Sequence, residues 1–314
     1  MTQAPVTETP ERSPLPLVRR PIPLRATQVF LVLATLTAMA YSGGTYWDTA
    51  PHVFDDPSVL PRGVEDFVLR CRAGLSFALW LFAILGAHEM GHYIACRRYR
   101  IAATWPYFLP APFFLFGTFG AVIRIRAPIP DRRALFDVAF AGPLAGFVVA
   151  VTALAVGVTV AVAVPSDLAS QGGHVYSLPW IGGWIAEALR PGETLMMNGT
   201  LAAAWAGFLI TVLNLFPAGQ LDGGHIAYAV SRSFHRWMSV GAIVLAAGTV
   251  TFSFATGQPP AYLLWLGVLL WMRNRHPPLW TEQASLGRAR TWLAALALLI
   301  FVLCFTWFPL RLLD

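Results

Sequence analysis

Seven stretches of this chain are apolar along nearly their whole length: Ala26–Gly44, Gly74–Cys96, Ala134–Val164, Thr200–Val230, Trp237–Thr256, Ala261–Met272 and Trp292–Phe308. A helix needs about 20 such residues to cross the hydrocarbon core of a bilayer. The pattern therefore constrains the chain to a polytopic α-helical membrane protein of about six to seven transmembrane helices. Ala261–Met272 is short for a full crossing and is read as half of a re-entrant pair with its predecessor or as a span, so whether residues 237–272 cross completely stays open. Only 12 % of the residues are charged, against about 25 % in soluble domains. That balance excludes an ordinary soluble enzyme, a disordered chain and a coiled coil.

Charge gives the orientation. A formal net charge of +6 in a soluble protein would suggest an anionic partner, but all the basic residues are arginines in the connections between apolar runs. Nucleic acid is therefore not an expected partner; the lipid bilayer is. Threading the spans with the N-terminus inside puts Arg97, Arg98, Arg100, Arg132, Arg133, Arg232, Arg236, Arg273 and Arg275 on the cytoplasmic side. Arg62, Arg70, Arg72, Arg190 and Arg311 fall outside, with most of the loop acids (Asp48, Asp55, Asp56, Glu65, Asp66, Asp167, Glu187, Glu193). This follows the positive-inside rule.

Residues 1–25 are rich in proline and polar side chains and read as a disordered cytoplasmic tail, and residues 26–314 as the membrane domain. Ala103–Arg126 fits no helix: its prolines and glycines interrupt an aromatic run, and Phe119–Arg126 alternates as a strand does. Apolar non-helical backbone beside a membrane helix must be buried in protein or line a cavity. The segment is expected to be a re-entrant strand or hairpin.

The second run ends in AHEMGHYIACRR. His88 and His92, four residues apart, share one helix face and can chelate a single ion. Glu89 is next to the first histidine and can take a proton from a metal-bound water. A hydrolytic zinc site needs a third protein ligand and an open position. Asp222, the only acid in the fourth run, is the candidate, and it precedes Gly223 and Gly224, which permit close backbone approach. His92 lies five residues before Arg97 and Asp222 ten before Arg232, which brings all three to the cytoplasmic leaflet if both helices run inward.

HEMGH followed by NLFPAGQLDGG resembles the site-2 protease family of intramembrane zinc metalloproteases, whose second signature N-x-x-P-x-x-x-x-D-G is matched by Asn214, Pro217, Asp222 and Gly223. GTFGAV and PDRRALFDVAFAGPLAG are similar to stretches of bacterial and plastid members. The resemblance covers about residues 74–230, with helices 237–310 as an addition. It implies one zinc ion per chain on His88, His92 and Asp222, Glu89 as general base, and Asn214 positioning the substrate backbone or stabilising the oxyanion. The implied reaction is hydrolysis of peptide bonds in or near a transmembrane segment of a membrane-protein substrate, in a bacterial cytoplasmic membrane. The loop Pro165–Gly199 is too short for the PDZ domain some members insert, and no CBS module is expected. The substrate, its cleavage site, regulation and oligomeric state are not legible.

Three other readings compete. A metal transporter would expect polar residues along a whole crossing path. A prenyl-protein protease lacks the second motif, and an inactive relative is at odds with the presence of Glu89 and every ligand. Asp137 is expected to cap a helix or pair with a neighbour such as Arg133, with catalysis as the alternative. Gly142, Pro143 and Gly146 are expected to be a small packing face. His225 is expected to be interfacial rather than beside the ligands. His52, His174, His235 and His276 are expected in loops with no role, and Cys71, Cys96 and Cys304 have no shared one.

Overall fold

The computed structural model describes residues 23–47, 63–165, 173–272, 279, 281, 285–307 and 309–313. Most of the expected tail lies outside these residues, as do His52, His276 and the loop charges Arg19, Arg20, Arg62, Arg273, Arg275, Asp48, Asp55, Asp56 and Asp167.

The helices are α1 (Ala26–Tyr46), α2 (Val64–Ala73), α3 (Leu75–Arg98), α4 (Arg132–Val160), α5 (Trp180–Leu189), α6 (Gly199–Leu215), α7 (Asp222–Val230), α8 (Arg232–Ala255), α9 (Leu263–Met272) and α10 (Arg288–Cys304). The strands are β1 (Tyr107–Pro110), β2 (Thr118–Val122), β3 (Gly173–Tyr176) and β4 (Leu310–Leu313). The protein is mostly helical. Among the described residues α1, α4 and α8 are each long and apolar enough to cross a membrane, and α2 with α3 makes a fourth candidate bent by 58°. The apolar helices α6 and α9 are shorter.

The bundle is organised around α3, which packs chiefly on α4 and also meets α1 and α6, while α4 bridges to α6 and α7. Ile84 of α3 joins Phe136, Phe140, Leu154 and Val158 of α4 and Phe208 and Val212 of α6 in one buried cluster. Met39, Phe77, Leu81, Phe108 and Trp205 form a second, which seats the β1–β2 hairpin against α1 and α3.

Local chemistry sets the ends. Asp131 caps α4 by accepting from Ala134 N–H at 2.8 Å, and Asn198 caps α6 by accepting from Leu201 N–H at 2.9 Å. Pro143 sits inside α4, where it has no N–H to give the carbonyl four residues back, yet the helix continues to Val160.

Two expectations change. The fourth apolar run is not one helix: it stops at Leu215 and restarts at Asp222. Pro217 holds Phe216 out of the helical region (φ −52°, ψ 122°), and Gly219 turns the chain at φ +58°. Composition alone misses this because every residue of the break except Gln220 is apolar or small. Ala103–Arg126 is non-helical as expected and forms an antiparallel hairpin, with Tyr107 opposite Val122 and Phe108 opposite Ala121. Its second strand covers only Thr118–Val122, and an isolated bridge joins Ala103 to Ile125. β3 and β4 pair antiparallel; this sheet was not anticipated.

Candidate metal centre

α3 presents His88 and His92 one turn apart, both buried, with Glu89 buried beside them. The two Nε2 atoms face each other at 3.1 Å. The first residue of α7 meets them: Asp222 Oδ2 lies 3.3 Å from His88 Nε2 and 3.3 Å from His92 Nε2. Donor atoms of His88, Glu89 and His92 all lie within 4.8 Å of one another. Asn214, near the end of α6, brings its Nδ2 to 3.5 Å from His88 Nε2.

These distances test whether the residues suit a metal ion. In tetrahedral coordination at about 2.0–2.1 Å, neighbouring ligand atoms stand about 3.3 Å apart. The Nε2–Nε2–Oδ2 triangle has sides of 3.1, 3.3 and 3.3 Å, so two imidazoles and one carboxylate fit such an ion and leave a fourth position free.

The surroundings aim the ligands. His92 Nδ1 lies 2.7 Å from the carbonyl of Val138 on α4. An acceptor there requires the proton on Nδ1, which leaves the Nε2 lone pair facing the centre. The imidazole rests on the α4 backbone at Gly142, where a Cβ would stand 2.2 Å from His92 Nε2. On the other side, Gly223 folds α7 back against the end of α6, where a Cβ would stand 2.0 Å from Leu215 O.

A cleft of about 310 Å³ opens onto the centre, lined by His88, Glu89, His92, Asn214 and Asp222 together with Ala121, Val122 and Ile123 at the hairpin. The Glu89 carboxylate faces the backbone of Ile123. All five residues singled out in the sequence as ligands or catalytic groups thus meet in one cleft.

The less committed readings fare differently. His225, expected to be interfacial, lines the cleft together with the ligands. Gly142 does serve packing, but what it packs is the imidazole of His92. Asp137 neither caps α4 nor pairs with Arg133: its carboxylate is held by Arg290, and Arg133 Nε instead donates to Ser285 O at 2.8 Å. His235 is a buried residue of α8, 3.2 Å from Gly219 O, and Ser239 Oγ donates to Pro217 O at 3.3 Å; both brace the break that delivers Asp222. His174 lies in β3. Cys71, Cys96 and Cys304 are unpaired thiols. Sequence reading missed His235 because its partner is a backbone carbonyl, which carries no side-chain signature.

A buried HExxH helix that meets a carboxylate from a second apolar segment, inside a bundle with membrane-length helices, has the donor set of a hydrolytic zinc site. Residues 76–255 match the sequence profile of peptidase family M50, and the chain belongs to that family. It is 35 % identical over 212 residues to a protein of Oryza sativa subsp. indica named Probable zinc metalloprotease EGY2, chloroplastic, a match covering 65 % of this chain and 36 % of that one. An Arabidopsis thaliana protein of the same name is 37 % identical over 164 residues, covering 50 % of this chain and 29 % of the relative. Probable zinc metalloprotease EGY1, chloroplastic, of Oryza sativa subsp. japonica is 28 % identical over 270 residues, covering 82 % and 45 %. The chain thus spans less than half the length of these relatives. No solved structure matches it.

Proposed function

We propose that this protein is an intramembrane zinc metalloprotease that hydrolyses peptide bonds in or near transmembrane segments of membrane-protein substrates. The observation that carries the reading is the triangle of His88, His92 and Asp222 donor atoms, with Glu89 alongside, buried within apolar helices. Family membership and relatives named as zinc metalloproteases support it.

His88, His92 and Asp222 hold one zinc ion per chain. Zinc in such a site supplies Lewis acidity toward a carbonyl and lowers the pKa of a water. Glu89, not needed as a ligand, takes the proton and returns it to the leaving amine. Asn214 donates its amide hydrogens toward the scissile carbonyl oxygen or the adjacent backbone. A substrate helix must unwind to expose a carbonyl, and β2 assists: among the described residues it pairs with β1 alone, so its other edge is available to an extended chain as an added strand. Ala121, Val122 and Ile123 on the cleft wall favour this role.

The membrane domain extends over residues 26–314 with a catalytic core at about 74–230. The chain crosses the bilayer six to seven times, and the β1–β2 hairpin re-enters from the cytoplasmic side. The arginine distribution supports a cytoplasmic N-terminus and a centre toward the cytoplasmic leaflet. A bacterial cytoplasmic membrane, expected from the sequence, gains no support from relatives named as chloroplastic. A transporter would need polar groups along the rest of α3, but its buried residues before His88 are Phe77, Ala78, Leu81, Ile84 and Leu85.

The test compares peptides released from membranes holding the wild type with those holding Glu89→Gln, at measured zinc content. Glu89→Gln keeps its zinc and loses roughly 10²–10⁴-fold in turnover. Cleavage at the wild-type rate would remove Glu89 from the mechanism. Loss of zinc would make it a ligand and bring back the transporter reading.

A further inference from the structure

Arg290 lies outside the stretch that matches the family profile and far in sequence from every residue of the centre. Its guanidinium nevertheless holds Asp137 by two parallel hydrogen bonds, Nε to Oδ1 at 2.8 Å and Nη2 to Oδ2 at 2.8 Å. Tyr99, the residue that ends α3, donates its hydroxyl to Asp137 Oδ2 at 2.5 Å, and Arg290 Nη2 reaches the same hydroxyl at 3.3 Å. One carboxylate of α4 is thereby tied to the end of α3 and to the first turn of α10. The residue after it, Val138, offers the carbonyl that meets His92 Nδ1 at 2.7 Å.

We propose that Arg290 is a positioning residue for the metal centre. Through Asp137 it sets the rotation and height of α4 against α3, and so keeps the Val138 carbonyl at the hydrogen-bonding position for His92. A bidentate arginine–carboxylate pair fixes geometry as well as charge. Asp137 and Val138 are adjacent on a rigid helix, so a shift in one moves the other. The acceptor on Nδ1 selects the tautomer and ring orientation in which Nε2 points at Asp222. The Tyr99 hydroxyl closes the loop by pinning the same carboxylate to the helix that carries His92. The catalytic core thus depends on a C-terminal helix that contributes no ligand.

The inference rests on His92 being a zinc ligand, and the experiment separates the two. Zinc affinity of the full chain in detergent is measured by competition with a chromogenic chelator, alongside thermal unfolding and the visible spectrum of the cobalt-substituted protein. The variants are His92→Ala, Arg290→Gln, Arg290→Lys, Asp137→Asn, Tyr99→Phe and the Arg290→Gln/Asp137→Asn pair. Arg290→Gln is expected to weaken zinc binding about 10–100-fold, the scale for partners that orient metal-bound histidines, and to shift the cobalt spectrum. Arg290→Lys keeps the charge without the fork and should recover only part of the affinity. The double variant should be no worse than the weaker single, because both act through one carboxylate. Should Arg290→Gln fail to fold, Tyr99→Phe removes only a hydroxyl and should still weaken zinc binding by a smaller factor. Wild-type zinc affinity in Arg290→Gln or, where that variant does not fold, in Tyr99→Phe overturns the proposal, as does a lowered unfolding temperature with affinity and spectrum unchanged. Wild-type affinity in His92→Ala overturns the ligand assignment itself, whatever Arg290 does.

Discussion

The two sides of the metal centre are held in opposite ways, and each contains a proline. On the histidine side α3 and α4 are continuous, and Pro143 sits inside α4 without ending it. On the aspartate side Pro217 coincides with a break, and Asp222 is delivered by a new helix that starts after a turn. What separates the two is the residue before each proline: Phe216 leaves the helical region at ψ 122°, and Gly219 then turns the chain at φ +58°, whereas Gly142 before Pro143 stays helical. A proline within a helix packed on both faces costs hydrogen bonding but not continuity. A proline whose predecessor takes extended backbone, as Phe216 does, ends the helix before it. The histidines are thus placed by the packing of long helices, and the aspartate by a loop that needs bracing.

The largest effect is expected where that packing touches a ligand. Gly142→Ala would put a methyl 2.2 Å from His92 Nε2, and the carbon belongs to a helix backbone that cannot give way. Zinc affinity should fall about 10–100-fold, comparable to losing an outer partner of the histidine, with overpacking costing about 1–3 kcal/mol in stability. Chelator competition and thermal unfolding measure both. Unchanged zinc binding would mean that α4 slides freely past α3, and the contrast between a rigid and a braced side would collapse.

How much of this was legible follows the same divide. His88, Glu89 and His92 sit within five consecutive residues, so helical periodicity alone puts the two imidazoles on one face. Asp222 is legible as the only acid of the fourth apolar run and Asn214 through the motif resemblance, although the continuous helix expected there is broken between Leu215 and Asp222. Asp222 nevertheless stands 3.3 Å from both imidazoles. Arg290 and Asp137 are 153 residues apart, and no local pattern links them. Arg133 was the nearer guess for Asp137, but one arginine is as good as another in sequence until the helices are packed. The strand reading of Phe119–Arg126 came from alternation, which persists past Val122 after the pairing with β1 has ended.

A smaller effect is expected on the braced side. His235 faces Gly219 O at 3.2 Å and is buried, so His235→Ala leaves that carbonyl without this partner. The cost is about 1–3 kcal/mol of stability, read by thermal unfolding. Zinc affinity should weaken with it, because the turn at Gly219 leads directly into Asp222. His235→Gln retains an amide donor and should restore part of both. If His235→Ala lowers stability but leaves zinc binding untouched, then Gly223 alone positions Asp222 by its close approach to Leu215 O, and the turn is only a connection.

The smallest effect tests whether the two sides are mechanically separate at the far end of the bundle. Asn198 accepts from Leu201 N–H at 2.9 Å to cap α6 and donates Nδ2 to Gly157 O of α4 at 3.0 Å. It therefore joins the helix that leads to the aspartate to the helix that backs the histidines. Asn198→Ala loses both bonds and should cost about 0.5–2 kcal/mol. Asn198→Asp keeps the capping oxygen and loses the donor, so the difference between the variants isolates the bond between helices. Asp131→Ala, which removes a cap with no such second bond, sets the scale for capping alone. None of the three should change zinc affinity, because His92 of α3 and the start of α7 at Asp222 meet α4 and α6 near Val138 and Leu215, at the ends opposite Gly157 and Asn198. A drop in zinc affinity confined to the two Asn198 variants would mean that α4 and α6 move as one body, and that the brace at His235 adjusts Asp222 against both.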